Sequence, residues 1–179
     1  MNRKTVLSYI IIVCMSFVLH AAGQPNRIAF ILLPLLMFAL PLIFRHQVRM
    51  RFTPKHLLLG LSISAAILIP YFIAFQGTMK MITAEMIFLQ LFRTALPEEF
   101  FFRGFLQDSS GRDMKAVAFI SLLFAVAHLP SALFLGEWMS LLSFFPSLVM
   151  GWLYAKTNNI LPGTIFHLFA NLAHQAVQG

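Results

Sequence analysis

Long apolar stretches alternate with short polar segments along the whole chain. A transmembrane helix needs about 20 mostly apolar residues, and the pattern predicts about seven such helices, within a range of roughly six to eight. The predicted spans are residues 5–21, 28–44, 57–75, 81–107, 116–129, 138–154 and 160–177. We therefore expect an all-α fold, a polytopic transmembrane helix bundle.

The composition limits the chain to the class of membrane proteins. Of the 179 residues, 59% are hydrophobic and 11% are charged, whereas a soluble domain has about 25% charged residues. So few polar side chains cannot cover a water-facing surface of this size, which excludes a typical soluble enzyme and a disordered chain. No repeat or long linker divides the sequence. We expect a single membrane domain, residues 1–179, whose motif-bearing core covers residues 81–177.

The charge balance predicts an orientation in the membrane. The chain has 13 Lys and Arg residues against 6 Asp and Glu residues, and basic residues concentrate in cytoplasmic loops. If the N-terminus is cytoplasmic, the outer segments hold only Arg27 and Lys80. The inner segments then hold Arg3, Lys4, Arg45, Arg49, Arg51, Lys55, Arg112, Lys115 and Lys156. We predict a multi-pass protein of the plasma membrane with a cytoplasmic N-terminus and no nucleic-acid partner.

The densest polar cluster within a predicted span is residues 97–103, Pro-Glu-Glu-Phe-Phe-Phe-Arg. Charged residues inside a bilayer are costly and by default mark a functional site. Glu99 and Arg103 are four residues apart, so they are predicted to form a buried ion pair that fixes helix packing. Glu98 is rotated by about 100° from Glu99 and has no such partner on its own helix. Pro97 cannot donate a helical hydrogen bond, which predicts a kink or a restart of the helix.

Two later spans contribute histidines. His128 follows Phe124 by four residues, and His167 and Asn171 are four residues apart and share a helix face. At a rise of 1.5 Å per residue, Glu98, His128 and His167 lie roughly 15–20 Å from the cytoplasmic ends of their helices. That depth is near the middle of a bilayer core about 30 Å thick. Three helices are therefore predicted to bring polar side chains to one level.

These residue types are suited to the hydrolysis of a peptide. A carboxylate beside an imidazole can deprotonate a water molecule, and a second imidazole with an amide can donate hydrogen bonds to a developing oxyanion. The sequence contains no Gly-x-Ser-x-Gly elbow and no His-Glu-x-x-His zinc motif. We expect no cofactor. Zinc bound by Glu98, His128 and His167 is the alternative, because catalytic zinc commonly takes three such ligands and a water.

Three short motifs follow one another through the second half of the chain. They are Glu98-Glu99-x-x-x-Arg103, Phe124-x-x-x-His128 and His167-x-x-x-Asn171. In this order they resemble the motif set of the CAAX prenyl protease 2 / bacteriocin-processing family (CPBP or Abi family) of intramembrane proteases. The resemblance covers roughly residues 85–175. It implies a helical bundle that cleaves a membrane-presented peptide or protein, either prenylated or carrying a C-terminal sorting signal.

The resemblance also implies roles for individual residues. Glu98 and His128 would activate the water, and His167 and Asn171 would stabilise the oxyanion. Members of the family are described both as metalloproteases and as glutamate-dependent proteases. The carboxylate next to Glu98 and the lack of a compact metal motif favour glutamate-activated water here. The supporting residues of the first motif would be Glu99 and Arg103.

Two other functions use the same residues. In a proton-coupled membrane transporter, Glu98, Glu99, His128 and His167 would form a proton relay. In a non-catalytic membrane scaffold, the polar residues would hold helices together through hydrogen bonds. Neither function requires the three motifs in this order, so an intramembrane endopeptidase is the leading hypothesis.

Overall fold

The computed structural model describes residues 1–22, 27–75 and 81–177, which fold into seven helices and no strand. This confirms the predicted all-α class. Helices α4, α5 and α6 each combine shorter helical segments that follow one another along the chain. The helices are α1 (Arg3–Ala21), α2 (Arg27–Ile43), α3 (Pro54–Ala74), α4 (residues 84–110), α5 (Met114–Leu135), α6 (Trp138–Thr157) and α7 (Ile160–Val177).

The helices are suited to a lipid environment. Within the described residues, α1, α3, α5 and α6 are each long and apolar enough to cross a membrane, and Ile31–Ile43 of α2 is a shorter apolar helix. Many large apolar side chains lie on the outside of the bundle, as Val18, Ile43 and Leu58 do. In water such a surface would be unfavourable, whereas in lipid it is the expected one. The protein is therefore an integral membrane protein.

Helix α4 is the least regular helix. Its α-helical segments, Ala84–Leu89, Leu96–Phe101 and Asp108–Ser110, are separated by two π-helical segments, Gln90–Ala95 and Phe102–Gln107.

The first π-helical segment explains how the chain accommodates Pro97. The amide of Leu96 donates to the carbonyl of Leu91, five residues earlier, so the turn before the proline is wider than an α-turn. The backbone at Ala95 and at Leu96 is helical. The predicted kink or restart at Pro97 thus takes the form of a π-turn followed by a new α-helical segment that begins at Leu96, with the backbone helical throughout.

The second half of α4 lies at the centre of the bundle. Every residue from Phe101 to Gln107 is buried, and a helix that is buried on all faces must be surrounded by other helices. Phe102 packs edge to face on Phe124 of α5, with ring centroids 4.9 Å apart. This position puts the motif-bearing face of α4 against α5 and α7.

Helix α7 packs along α3 and α6. At its start, a Cβ added to Gly60 of α3 would lie 2.9 Å from the backbone of Pro162. At Gly163, a Cβ would lie 2.5 Å from Glu99 Oε2. Only glycine permits the first approach, since backbone atoms cannot move aside as a flexible side chain can. At the second, a Cβ would displace the Glu99 carboxylate from its place beside Arg103. The second approach lets the Glu99 carboxylate pack directly against α7.

Polar contacts between loops hold one end of the bundle together. Asn159, just before α7, accepts from the amide of Arg51 at 3.1 Å and donates to its carbonyl at 2.7 Å. Asp108, near the end of α4, accepts from the hydroxyl of Tyr154 at 2.8 Å and lies 3.3 Å from His46 Nε2. These contacts place the α2–α3 and α6–α7 connections at the same end as the end of α4. The basic segments that the sequence assigned to one side therefore lie together.

Candidate active site

A glutamate–histidine contact between α4 and α7 lies at the heart of the site. Glu98 Oε2 is 3.6 Å from His167 Nε2. Both side chains are largely buried, with exposed fractions of 17% for Glu98 and 6% for His167. The depth comparison predicted that these two residues lie at one level, and the structure brings them together. Glu98, which has no partner on its own helix face, therefore has its partner on α7.

A fully buried ion pair, Glu99–Arg103, lies next to that contact. Arg103 Nε is 3.5 Å from Glu99 Oε2, and both side chains have no exposed surface. Arg103 Nη2 also donates to Ser147 Oγ of α6 at 2.9 Å, and Glu99 Oε1 lies 3.5 Å from His167 Nδ1. The predicted Glu99–Arg103 pair is confirmed. Through Ser147 and His167 it connects α4 with both α6 and α7.

His128 lies where α5 is interrupted. The first α-helical segment of α5 ends at Ala127, and His128 has φ −89° and ψ −3°, at the edge of helical space. Its Nδ1 is 2.8 Å from the carbonyl oxygen of Phe124. A carbonyl can only accept, so Nδ1 carries the proton, and in the neutral imidazole Nε2 keeps its lone pair. Helix α5 thus presents His128 as a base or as a hydrogen-bond acceptor.

The ring of Phe124 packs against His128, His167 and Arg103. Its ring centroid is 4.8 Å from that of His128 and 5.8 Å from that of His167. The guanidinium carbon of Arg103 lies 5.3 Å from the same ring, a distance typical of cation–π contacts. The first residue of the Phe124-x-x-x-His128 motif therefore packs against both imidazoles and keeps the site apolar on that side.

Asn171 lies one turn beyond His167 on α7 and contacts a residue that the sequence reasoning missed. Its Nδ2 donates to Gln90 Oε1 of α4 at 3.0 Å. Gln90 is the first residue of the first π-helical segment. Its only sequence signal is that it is an amide within an apolar span, eight residues before Glu98. The contact holds the amide of Asn171 on the α4 side of α7, the side on which Glu98 also lies.

A cleft of about 240 Å³ opens beside Glu98 and His128. Two helices without motifs complete it, since Ser16 and His20 of α1 and Pro34 of α2 lie on its wall. Sequence reasoning assigned no role to α1 or α2. Other residues that line the cleft are Leu33, Met37, Arg93, Thr94, Phe102 and Ser131. The cleft thus combines apolar and polar side chains, as a site for a peptide in a membrane would require.

The arrangement has the parts needed to activate water and to stabilise negative charge. Glu98 Oε2 is buried and accepts no hydrogen bond from the described residues, so its lone pairs are available to a water. His128 provides a second acceptor on the same cleft. His167 lies between two carboxylates, with Nε2 3.6 Å from Glu98 Oε2 and Nδ1 3.5 Å from Glu99 Oε1. An imidazole N–H can donate a hydrogen bond to a developing oxyanion.

The same geometry shows whether these side chains could bind a zinc ion. Among residues 1–22, 27–75 and 81–177, no three His, Cys, Asp or Glu side chains are grouped so that they could hold a metal ion. Both ring nitrogens of His167 face carboxylate oxygens, at 3.5 and 3.6 Å. A catalytic zinc would need Glu98, His128 and His167 to converge on one point. The side chains as arranged do not fit that group.

Comparison with known proteins identifies the family. A family described as type II CAAX prenyl endopeptidase, Rce1-like, matches residues 80–173, just over half of the chain. The chain belongs to the Rce1-like family. The matched range contains all the motif residues, from Glu98 to Asn171, and leaves α1 to α3 outside it. No curated protein and no solved structure matches the chain.

Membership of the Rce1-like family confirms the resemblance to CAAX prenyl proteases that the three motifs indicated. It identifies the chain as a CAAX-type membrane protease, and thus as a hydrolase. Proteases of this family act on membrane-associated prenylated proteins.

Proposed function

We propose that this Rce1-like protein is an intramembrane endopeptidase that uses water activated by Glu98 and His128. The observation that carries the proposal is the cleft on which Glu98 and His128 both lie, with His167 in contact with Glu98. A carboxylate and an imidazole on one cleft wall are the pair that general-base chemistry requires. The family supports the reaction class, and the shared cleft supports the choice of Glu98 and His128.

The reaction proceeds as a direct hydrolysis. Glu98 takes a proton from a water molecule, and the water oxygen attacks the carbonyl carbon of the scissile peptide bond. The carbonyl oxygen then carries the negative charge, which His167 and Asn171 stabilise by donating hydrogen bonds. The C–N bond breaks as the proton held by Glu98 or His128 passes to the leaving amine. The products are a free carboxylate and a free amine, with no covalent enzyme intermediate.

Glu99 and Arg103 contribute by holding His167 in position. Glu99 contacts His167 Nδ1, the nitrogen opposite the one that faces Glu98. It therefore fixes the orientation of the ring. Arg103 and Ser147 hold Glu99 in place. In this proposal neither residue contacts the substrate.

No metal takes part in the proposed mechanism. The expected result is that the purified enzyme keeps its activity after exhaustive chelation and dialysis, because the base and the oxyanion donors are side chains. Cleavage is measured before and after treatment, and the metal content is measured by elemental analysis. Loss of activity that returns on adding zinc would contradict this part of the proposal.

The substrate is a membrane-associated protein or peptide, prenylated or carrying a C-terminal sorting signal. Membrane peptides from cells with wild-type protein and from cells with Glu98→Gln are compared by mass spectrometry. A precursor is expected to accumulate in the variant, and its shortened form to disappear. A matched strain with Glu85→Gln serves as a control, since Glu85 is an exposed carboxylate on the same helix. Identical peptide sets in all strains would contradict the proposed activity.

We also propose a cytoplasmic N-terminus in the plasma membrane, from the grouping of the basic segments at one end. Cys14 is the only cysteine, so the test uses a Cys14→Ser background. Single cysteines are then introduced by Lys4→Cys and by Glu137→Cys, at opposite ends of the bundle. On intact cells a membrane-impermeant maleimide is expected to label position 137 alone, and position 4 only after permeabilisation. The reverse pattern would invert the orientation.

A further inference from the structure

Part of the wall of the cleft is formed by α1, which lies outside the range matched by the family. Two polar side chains of α1, Ser16 and His20, lie on this wall. Ser131 of α5 lies on the same cleft, three residues after His128. Residues three apart in a helix share a face, so Ser131 is one turn from His128 along the cleft.

Hydrogen bonds join these residues into a chain of fixed polarity. His20 Nδ1 is 2.7 Å from the carbonyl oxygen of Ser16. That oxygen can only accept, so Nδ1 carries the proton, and Nε2 of the neutral ring is an acceptor. Ser131 Oγ lies 3.2 Å from Nε2 and must therefore donate its single proton to it. The lone pairs of Ser131 Oγ are then the free hydrogen-bonding groups at this point of the cleft.

We propose that Ser131, oriented by His20, binds the main chain of the substrate peptide beside Glu98 and His128. Its hydroxyl oxygen accepts a hydrogen bond from a substrate amide N–H. This extends the proposed function by naming a substrate-binding residue of the same site, and it gives α1 a role in recognition. His20 does not contact the substrate and acts by fixing the direction of the Ser131 hydroxyl.

The surroundings fit a peptide amide. The cleft is lined by apolar side chains such as Ala127 and by the donor Arg93, with Glu98 and His128 as acceptors beside the reacting groups. An extended peptide carries N–H donors and C=O acceptors in alternation, so it needs acceptors as well as donors on the walls. Ser131 Oγ supplies an acceptor about one turn away from the reacting groups.

The test separates binding from chemistry. Binding of a fluorescent farnesylated peptide with a CAAX C-terminus is measured by polarisation in a Glu98→Gln background, in which no cleavage disturbs the equilibrium. Adding Ser131→Ala or His20→Leu is expected to raise the Kd about 3–10-fold, the effect of one neutral hydrogen bond. His20→Gln, whose amide oxygen can accept from Ser131, is expected to restore most of the affinity. In the otherwise wild-type enzyme, Ser131→Ala should raise KM by the same factor with kcat unchanged.

A matched control is His174→Gln. His174 also lies within reach of a hydroxyl, that of Tyr71 at 3.4 Å, but it does not line the cleft. It should leave the Kd unchanged. An unchanged Kd in Ser131→Ala, a fall in kcat alone, or no binding in the Glu98→Gln background would overturn the proposal. If the variants raise the Kd as expected but the wild-type protein cleaves no peptide, the binding role of Ser131 is supported and the proposed function is contradicted.

Discussion

Replacing Glu98 with Gln is expected to reduce cleavage by at least about 10³-fold, within the range for the loss of a general base. Glutamine keeps the size and polarity of the side chain but cannot accept a proton from water. Because Glu98 is partly exposed to the cleft and is not part of the fully buried Glu99–Arg103 pair, the helix bundle should keep its stability. The measurement is the initial rate of cleavage together with the thermal unfolding midpoint in detergent.

Glu85→Gln is the matched control for that prediction. It removes a carboxylate from the same helix at an exposed position, and it should leave the rate unchanged. A Glu98→Gln enzyme that is as stable as wild type and cleaves at the wild-type rate would rule out Glu98 as the base.

The largest loss of stability is expected from Arg103→Ala. Arg103 has no exposed surface, and its removal leaves the Glu99 carboxylate buried, with His167 as its remaining ion-pair partner among the described residues. Breaking a buried ion pair by removing one partner costs about 3–5 kcal/mol in free energy of unfolding. The measurement is denaturant unfolding of the purified protein in micelles.

A double variant separates buried charge from lost packing. In Glu99→Gln with Arg103→Met, neither side chain carries a charge, so the bundle should regain much of its stability. Activity should stay low because His167 has lost the carboxylate that orients it. Arg112→Ala, an exposed arginine beyond the end of α4, is the control and should be neutral. Arg103→Ala that unfolds at the wild-type midpoint would contradict the role assigned to the buried pair.

Much of this arrangement could be predicted from spacing alone. The length and number of the apolar stretches predicted the seven helices, because a lipid environment leaves few other structures for a chain this apolar. The four-residue spacing of Glu99 and Arg103 predicted their ion pair, since it is a local contact within one helix. Counting residues from the helix ends was enough to predict that Glu98 and His167 lie at one depth in the membrane.

The contacts that sequence could not predict are those between helices far apart in the chain. Asn171 reaches Gln90, and His20 reaches Ser131, and no spacing rule relates their positions. The π-turns of α4 were also missed, because Pro97 excludes an ordinary helical hydrogen bond without specifying what replaces it. Both features depend on how the helices pack.

Product analysis with the purified, reconstituted protein tests the hydrolysis by Glu98 and the histidines. Proteoliposomes are incubated with a farnesylated CAAX peptide in oxygen-18 water, and the products are identified by mass spectrometry. The expected result is one internal cleavage that leaves a new carboxylate carrying the solvent oxygen, formed by wild-type protein and by Glu85→Gln but not by Glu98→Gln. A peptide that stays intact with wild-type protein while protons cross the liposome membrane, or equal cleavage by Glu98→Gln, would contradict it.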